Sequence, residues 1–534
     1  MRTKWFLGFV VVAGLSALIA APLLAQLPDR TLAPNAANEG IAKSYSQQVG
    51  AGRGDAYTEG SSLYIIMRDP ARAIRRGRQI FQRKFTRAQG QGPLTGDGAG
   101  DIHRELSIAA GLADSCAACH GRPRGAAGAG GDVATRPDSR DAPHLFGLGL
   151  KEMLADEITA ELRETRAEAI SDARRFRRNV TRDLDDKGID YGEITARPDG
   201  SVDTSRVRGV DPDLRVRPFF LHGETISIRE FLVGAFNAEM GLEAPDPDLL
   251  AADGGARVVT PSGMVLDGSL DNIEGPPVAA DTDDSDHDGV VNEIPTSIVD
   301  FMEFYLLHYF KAGTGQQTSD SQSGRNLFVR RRSDGGLGCA ECHIPDLTID
   351  RDRRVADVET VYDPSRGNPF NRLFATAQLQ LTAVDDGSGH PALKRPNLAS
   401  FRVRNIFTDF KRHDLGPNFH EINYDGTIRR QFLTTALWGV ANTGPYGHDG
   451  RSMNLDDVIL RHGGEAQSAR NAFANLSSTG RRQVVAFLNT LVLFPPDDTA
   501  SNLQAADPAA AGYPQFGHGS IRLGALFNDP NDAE

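Results

Sequence analysis

The sequence predicts a mainly α fold of two similar units, produced by a duplication, with loop-rich insertions and little β structure. Three observations predict it. The pattern Cys-x-x-Cys-His occurs twice, at Cys116–His120 and Cys339–His343. Three short blocks of sequence recur in the same order around these two motifs. The stretches between them carry apolar residues at helical spacing, broken by glycine, which makes up 56 of the 534 residues.

At roughly 100 to 200 residues per domain, a chain of 534 residues holds about three or four domains' worth of sequence. Charged residues at 24% and hydrophobic residues at 40% match ordinary globular usage, which argues against wholesale disorder and against a polytopic membrane protein. The net charge of −13 argues against a nucleic-acid surface and suits a basic protein partner.

The chain opens with Arg2 and Lys4 and an uncharged apolar run from Trp5 to Ala25. Residues 1–25 read as a secretory signal, with an uncleaved N-terminal membrane anchor as the alternative. Either one puts the body of the protein in the periplasm or otherwise outside the cytoplasm. Residues 26–64 form an N-terminal extension, and the first unit spans 65–280.

In that unit Gly77-Arg78-Gln79-Ile80-Phe81 marks the first helix, and the small-residue stretch 88–113 is a loop leading to Cys116. Cysteines three apart lie on one face of a helical turn and can bond both vinyl groups of one porphyrin, while the adjacent histidine reaches the iron. Cys116 and Cys119 with proximal His120, and Cys339 and Cys342 with proximal His343, therefore predict two covalently bound haems c. A thioredoxin-like thiol pair is the other use of such spacing. A single Cys₄ zinc site is disfavoured by the 220 residues (339 − 119) between the pairs.

The block Leu145-Phe146-Gly147-Leu148 is followed by a polar-faced helix, Glu152–Arg166, inside an insertion at 151–217 that also holds a hairpin turn at Arg197–Val202. Pro218–Leu232 closes the unit. Its pattern is a Pro-aromatic start, a glycine turn, a polar cap and an amphipathic helix.

Between the units, residues 281–296 resemble the front of a calcium loop. Asp284, Asp286 and Asp288 stand at positions 1, 3 and 5, glycine at 6 and Asn292 at 9, with Glu293 in place of the missing glutamate at 12. An acidic solvated linker is the alternative.

The second unit spans 297–496, followed by a tail at 497–534. Ser297–Phe310 is helical by pattern, Gly324-Arg325-Asn326-Leu327-Phe328 repeats the first-helix block, and Leu437-Trp438-Gly439-Val440 repeats Leu145–Leu148. Pro445–Ile459 aligns without gaps on Pro218–Leu232, at an offset of 227 (445 − 218). Val484–Leu493 is an apolar helix stopped by two prolines. Continued at the same offset, the alignment sets His462 opposite Ala235. Histidine at a helix end can point back over a haem as a sixth ligand, and alanine cannot, so the two irons are expected to differ.

The paired motifs, with Arg404-Asn405-Ile406-Phe407-Thr408-Asp409, His413-Asp414-Leu415-Gly416-Pro417, Leu437–Val440 and Pro445–Arg451, resemble the bacterial di-haem oxidoreductases. These peroxidase-type proteins are related to di-haem cytochrome c peroxidase, MauG-type enzymes and di-haem rubber oxygenases. The resemblance runs from about residue 65 to 495.

It implies two cytochrome c-like haem domains, one relaying electrons while the other meets hydrogen peroxide or dioxygen. It further implies a small electron-donor protein such as a cytochrome c or cupredoxin. The position of His462 holds methionine in the peroxidases and tyrosine in the MauG type, so histidine there is closer to the rubber oxygenases and lowers the expected potential. His144 matches the family's distal-side segment as the acid/base, with His222 and Glu152 as further candidates.

The activity expected is reduction of hydrogen peroxide. The alternatives are an oxygenase or cofactor-maturing enzyme on the same scaffold, and an electron carrier with two six-coordinate irons.

Overall fold

The computed structural model describes residues 41, 43–86, 113–121, 141–284, 289–308, 313–353, 400–423 and 425–492, with two short strand pairs in 384–392 and 503–521. The expected signal segment, most of the loop at 88–113, Asp286, Asp288 and nearly all of the tail lie outside the described residues. Helix predominates, as expected. No helix among the described residues is long and apolar enough to cross a membrane.

The first unit begins with α1 (Pro70–Gln82), whose Asp69 cap accepts from Arg72 N–H and whose proline fits the first turn. A single turn, α2 (Cys116–His120), is capped by Ser115 Oγ, which accepts from Ala118 N–H at 3.1 Å. The polar-faced helix is longer than its pattern indicates. α3 runs over Leu148–Phe176, and its N-terminal half is buried.

The insertion is also more ordered than a lone hairpin. β1 (Val180–Asp186), β2 (Ile189–Ala196) and β3 (Val202–Val207) form one antiparallel sheet in that order, and the expected turn joins β2 to β3. α4 (Ile228–Met240) starts in a capping box between Ser227 and Glu230.

One boundary moves. α5 (Thr296–His308), expected to open the second unit, packs on α1 of the first. Every side chain from Ser297 to His308 is buried, as befits a helix apolar on most of its circumference. At the crossing, a Cβ on Gly77 would lie 2.2 Å from the Phe301 carbonyl oxygen, so only glycine permits the approach.

The second unit repeats this design. α6 (Ser319–Val329) crosses α8 (Ser478–Leu488), and a Cβ on Gly324 would lie 1.8 Å from the Gln483 carbonyl oxygen. α7 (Leu455–Arg461) is capped by Asn454, the residue opposite Ser227 at the offset of 227. Gly147 and Gly439 share a left-handed φ of 72° and 70°, and Gly223 and Gly450 share one of 71° and 63°. The repeated blocks thus recur as backbone geometry.

The main core gathers the first unit together with Leu347, Ile349, Ile406 and Trp438 of the second. A smaller core packs Phe328, Phe407, Val484 and Phe487.

Candidate functional site

Each Cys-x-x-Cys-His motif lies beside a helix crossing. The aromatic residue one turn after the crossing glycine packs near the motif's histidine: Phe81 is 6.5 Å from His120 and Phe328 is 6.0 Å from His343, between ring centroids. Both histidines are oriented in the same way. His120 Nδ1–H donates to the Pro143 carbonyl at 2.7 Å, and His343 Nδ1–H to the Phe407 carbonyl at 3.1 Å.

A carbonyl oxygen can only accept, so Nδ1 carries the proton and Nε2 keeps a lone pair for a metal. Burial lowers the pKa of His343 to about 4, which keeps its imidazole neutral. Burial pushes the Cys116 and Cys339 thiols up to about 12, the reverse of what a redox-active dithiol needs. These half-buried, little-ionised thiols beside an oriented imidazole fit thioether attachment of a haem better than thiol chemistry.

The first motif also lines a cavity of about 440 Å³, within the range of ligand sites, whose walls include Ala235 and a cluster of Phe219, Phe220 and Phe231. At the second motif, His462 stands at the C-terminal cap of α7, close enough for its charge to affect His343. His462 Nδ1–H donates to the Val458 carbonyl at 2.6 Å, and burial lowers its pKa. As at His120 and His343, the proton sits on Nδ1 and the lone pair on Nε2. Ala235 thus shares a cavity with the first motif, and His462 lies near His343 of the second.

The three acid/base candidates are sorted by their bonds. His144 Nε2–H donates to the Trp438 carbonyl at 2.6 Å, and its Nδ1 accepts from Phe146 N–H at 3.3 Å. Both ring nitrogens are spent on backbone, and His144 follows Pro143, the residue that orients His120. His144 also lines the cavity at the first motif, but with both nitrogens bonded it has none left to exchange a proton there. Burial lowers its pKa to about 3.

Glu152 is likewise structural. It is buried and accepts from Ile228 N–H at 2.8 Å, at the start of α4, and burial raises its pKa. It is absent from the cavity wall, which corrects its candidacy.

His222 does line the cavity. Its Nε2–H donates to Glu224 at 2.9 Å, and its buried Nδ1 has no hydrogen-bond partner among the described residues. Thr225 Oγ1 and Asn237 Nδ2, also on the cavity wall, are in the same position. Sequence reading missed Glu224, Thr225 and Asn237, although a carboxylate two residues after a candidate histidine was a usable signal.

It also missed a charged trio beside the second motif. His413 bonds Asp409 at 2.9 Å and Glu465 at 2.7 Å, and with Asp409 it lies close to the Cys342 sulfur.

Of the calcium-loop residues, Asp284, Asn292 and Glu293 are described. Asp284 Oδ2 accepts from Gly289 N–H at 3.2 Å, the turn-closing bond that a position-1 aspartate and a position-6 glycine make. Glu293 accepts from Glu243 N–H at 2.8 Å, and the buried Asn292 Oδ1 has no hydrogen-bond partner among the described residues.

A family profile described as "Di-haem oxidoreductase, putative peroxidase" matches residues 337–491. No curated protein sequence matches the chain. Among solved structures, Kuenenia stuttgartiensis hydrazine synthase, pressurised with 20 bar xenon, aligns at 16% identity with a TM-score of 0.21. That alignment covers 37% of this chain and 56% of the other. Over residues 337–491, which hold the second motif, Phe407 and His462, this chain is similar to the di-haem oxidoreductases.

Proposed function

We propose that the chain is an exported di-haem c-type oxidoreductase of two cytochrome c-like domains. Its reaction is the reduction of hydrogen peroxide, for which the first motif's cavity would take the substrate and the second motif would hold the haem that supplies electrons. The observation that carries this reading is the asymmetry opposite the two histidines: Ala235 on a cavity wall at one motif, His462 with its lone pair on Nε2 at the other.

Bound haem supplies redox-active iron. Cys116, Cys119, Cys339 and Cys342 would hold the two groups covalently, and His120 and His343 would offer Nε2 as iron ligands. His462 closes the second site to substrate, while Ala235 leaves room at the first. His222, held by Glu224, takes a proton at Nδ1 from the incoming peroxide and returns one to the departing oxygen. The acidic chain suits a basic donor protein, such as a small cytochrome c or a cupredoxin. Calcium, bound through Asp284, Asp286, Asp288, Asn292 and Glu293, braces the segment leading into α5.

The apolar, Phe-lined wall favours a second reading, oxygenation of an organic substrate in the same cavity.

Visible and electron paramagnetic resonance spectra of the pure protein, with peroxide turnover measured alongside, test the proposal. One high-spin and one low-spin haem per chain, with turnover, are expected, and His462→Ala should add a second high-spin signal. Two low-spin haems in the wild type would overturn it. Product formation from dioxygen without peroxide would select the second reading.

A further inference from the structure

The insertion is covalently continuous with the segment that orients His120, and its far end reaches the segment that orients His343. α3 begins shortly after Pro143, and β2 of the sheet that follows carries Tyr191, which is fully buried. The Tyr191 hydroxyl donates to the Asp409 carbonyl at 3.0 Å. Asp409 lies two residues beyond Phe407, whose carbonyl accepts from His343 Nδ1–H. Lys411 reinforces the contact by donating to the Asp190 carbonyl at 2.6 Å while lying over the Tyr191 ring.

The segment held in this way is strained. Asn405, Phe407 and Phe410 have left-handed φ values of 55°, 53° and 56°. None is glycine, and such conformations are disfavoured unless the surroundings enforce them. Within the second half the enforcement comes from Asn405 N–H on Asp346 at 2.7 Å, Thr408 N–H on the Ile344 carbonyl at 3.1 Å and Thr408 Oγ1 on the Thr434 carbonyl at 2.6 Å. Tyr191 brings a buried side-chain bond to the same segment from the first half.

We propose that Tyr191 is a positioning residue for the second haem: its hydroxyl holds the strained turn so that the Phe407 carbonyl stays on His343 Nδ1. A carbonyl on Nδ1–H fixes the ring and makes Nε2 a stronger donor, which favours the oxidised iron. The insertion thereby links the reduction equilibrium of the second haem to the fold of the first unit. The inference rests on the di-haem reading above.

Tyr191→Phe keeps the buried ring and removes only the hydroxyl. Once a haem count of two is established, a redox titration should show the second haem easier to reduce by about threefold, in line with the loss of one hydrogen bond, with the first haem unchanged. Hydrogen exchange at the backbone amides of residues 405–413 should accelerate. Ile194→Val, a buried trim on the same strand, should do neither and so controls for general loosening.

An unchanged second-haem potential, or unchanged amide exchange in a folded Tyr191→Phe protein, overturns the proposal. The exchange measurement reads the clamp whatever the haem content. A count other than two overturns the di-haem reading instead.

Discussion

The two motif regions share the surroundings of the Cys-x-x-Cys-His and differ in the helix that ends at Met240 in one and at Arg461 in the other. Each has a glycine-dependent helix crossing, an aromatic residue one turn on, and an imidazole whose Nδ1–H is taken by a carbonyl. On the opposite side, α4 continues through Ala235 to Met240, whereas α7 stops at Arg461 and leaves His462 as its cap. The proximal segments differ as well. No residue from Asp141 to Phe146 has positive φ, while Asn405, Phe407 and Phe410 all do. Two similar regions can thus keep the surroundings of a motif alike while one helix length and one side chain set them apart.

The harshest way to break this comparison is to remove it. Ala235→His places an imidazole on the cavity wall. Peroxide turnover is expected to fall at least about a hundredfold, and the high-spin signal to diminish. Full turnover with an unaltered spectrum would mean that the cavity at Ala235 is not where substrate binds.

The role of the first cavity is sharpened by His222→Gln. It should slow turnover by about 10² to 10⁴, the usual worth of a general acid/base, with both spin states untouched. His144→Gln should leave the rate near that of wild type, because both ring nitrogens of His144 are committed to backbone. The opposite ranking of these two variants would restore His144 to the role its sequence position suggested.

The two crossings can be compared by stability. Gly324→Ala and Gly77→Ala should each cost about 1–3 kcal/mol or more, as overpacking does, with the larger loss at Gly324, where the approach is tighter. Chemical denaturation would measure both. If neither variant is destabilised, the crossings are looser than the structure shows.

The smallest effects expected are two pH dependences of opposite sign. Burial depresses His144 from 6.5 to about 3, so the unfolded chain binds the extra proton between those values and stability falls as pH drops from about 6.5 toward 3. His413 is the reverse. Burial works against its charge, but Asp409 and the Cys342 sulfur outweigh it and raise the pKa from 6.5 to about 11, a rise that shrinks once that sulfur is a thioether. Its contribution is complete below about pH 6.5 and is lost as pH climbs through the raised value. Melting temperatures across pH 4 to 10 should flatten on the acid side in His144→Gln and on the alkaline side in His413→Gln. Parallel curves would show that neither histidine matters to stability.

The repeated blocks were legible because turns, caps and crossing glycines depend on local spacing, and they recur as backbone geometry. The tautomer of His144 was not, since it depends on a carbonyl of Trp438, 294 residues away along the chain. Glu152 misled for a similar reason. A buried carboxylate that caps a distant helix has the same local sequence as one facing a cavity. The α5 boundary failed because an apolar helix does not reveal which unit it covers, and the β1–β3 sheet was underestimated because its outer strands alternate weakly between buried and exposed residues.

The glycine crossings also bear on the order of events during biogenesis. The contact that closes the first unit joins Gly77 to Phe301, 224 positions apart (301 − 77), and the one that closes the second joins Gly324 to Gln483, 159 apart (483 − 324). Each Cys-x-x-Cys-His lies inside the loop so formed, and contacts of long sequence separation form late because the chain must first give up loop entropy. An emerging polypeptide therefore keeps each thiol pair accessible until the last helix of its unit has been synthesised. If the first motif carries a haem, ligation is expected to precede closure, and a chain truncated before Thr296 should keep that haem while staying open to protease. Limited proteolysis of truncated chains, scored by haem staining, checks this: a protease-resistant first unit lacking residues 296–308 would contradict it.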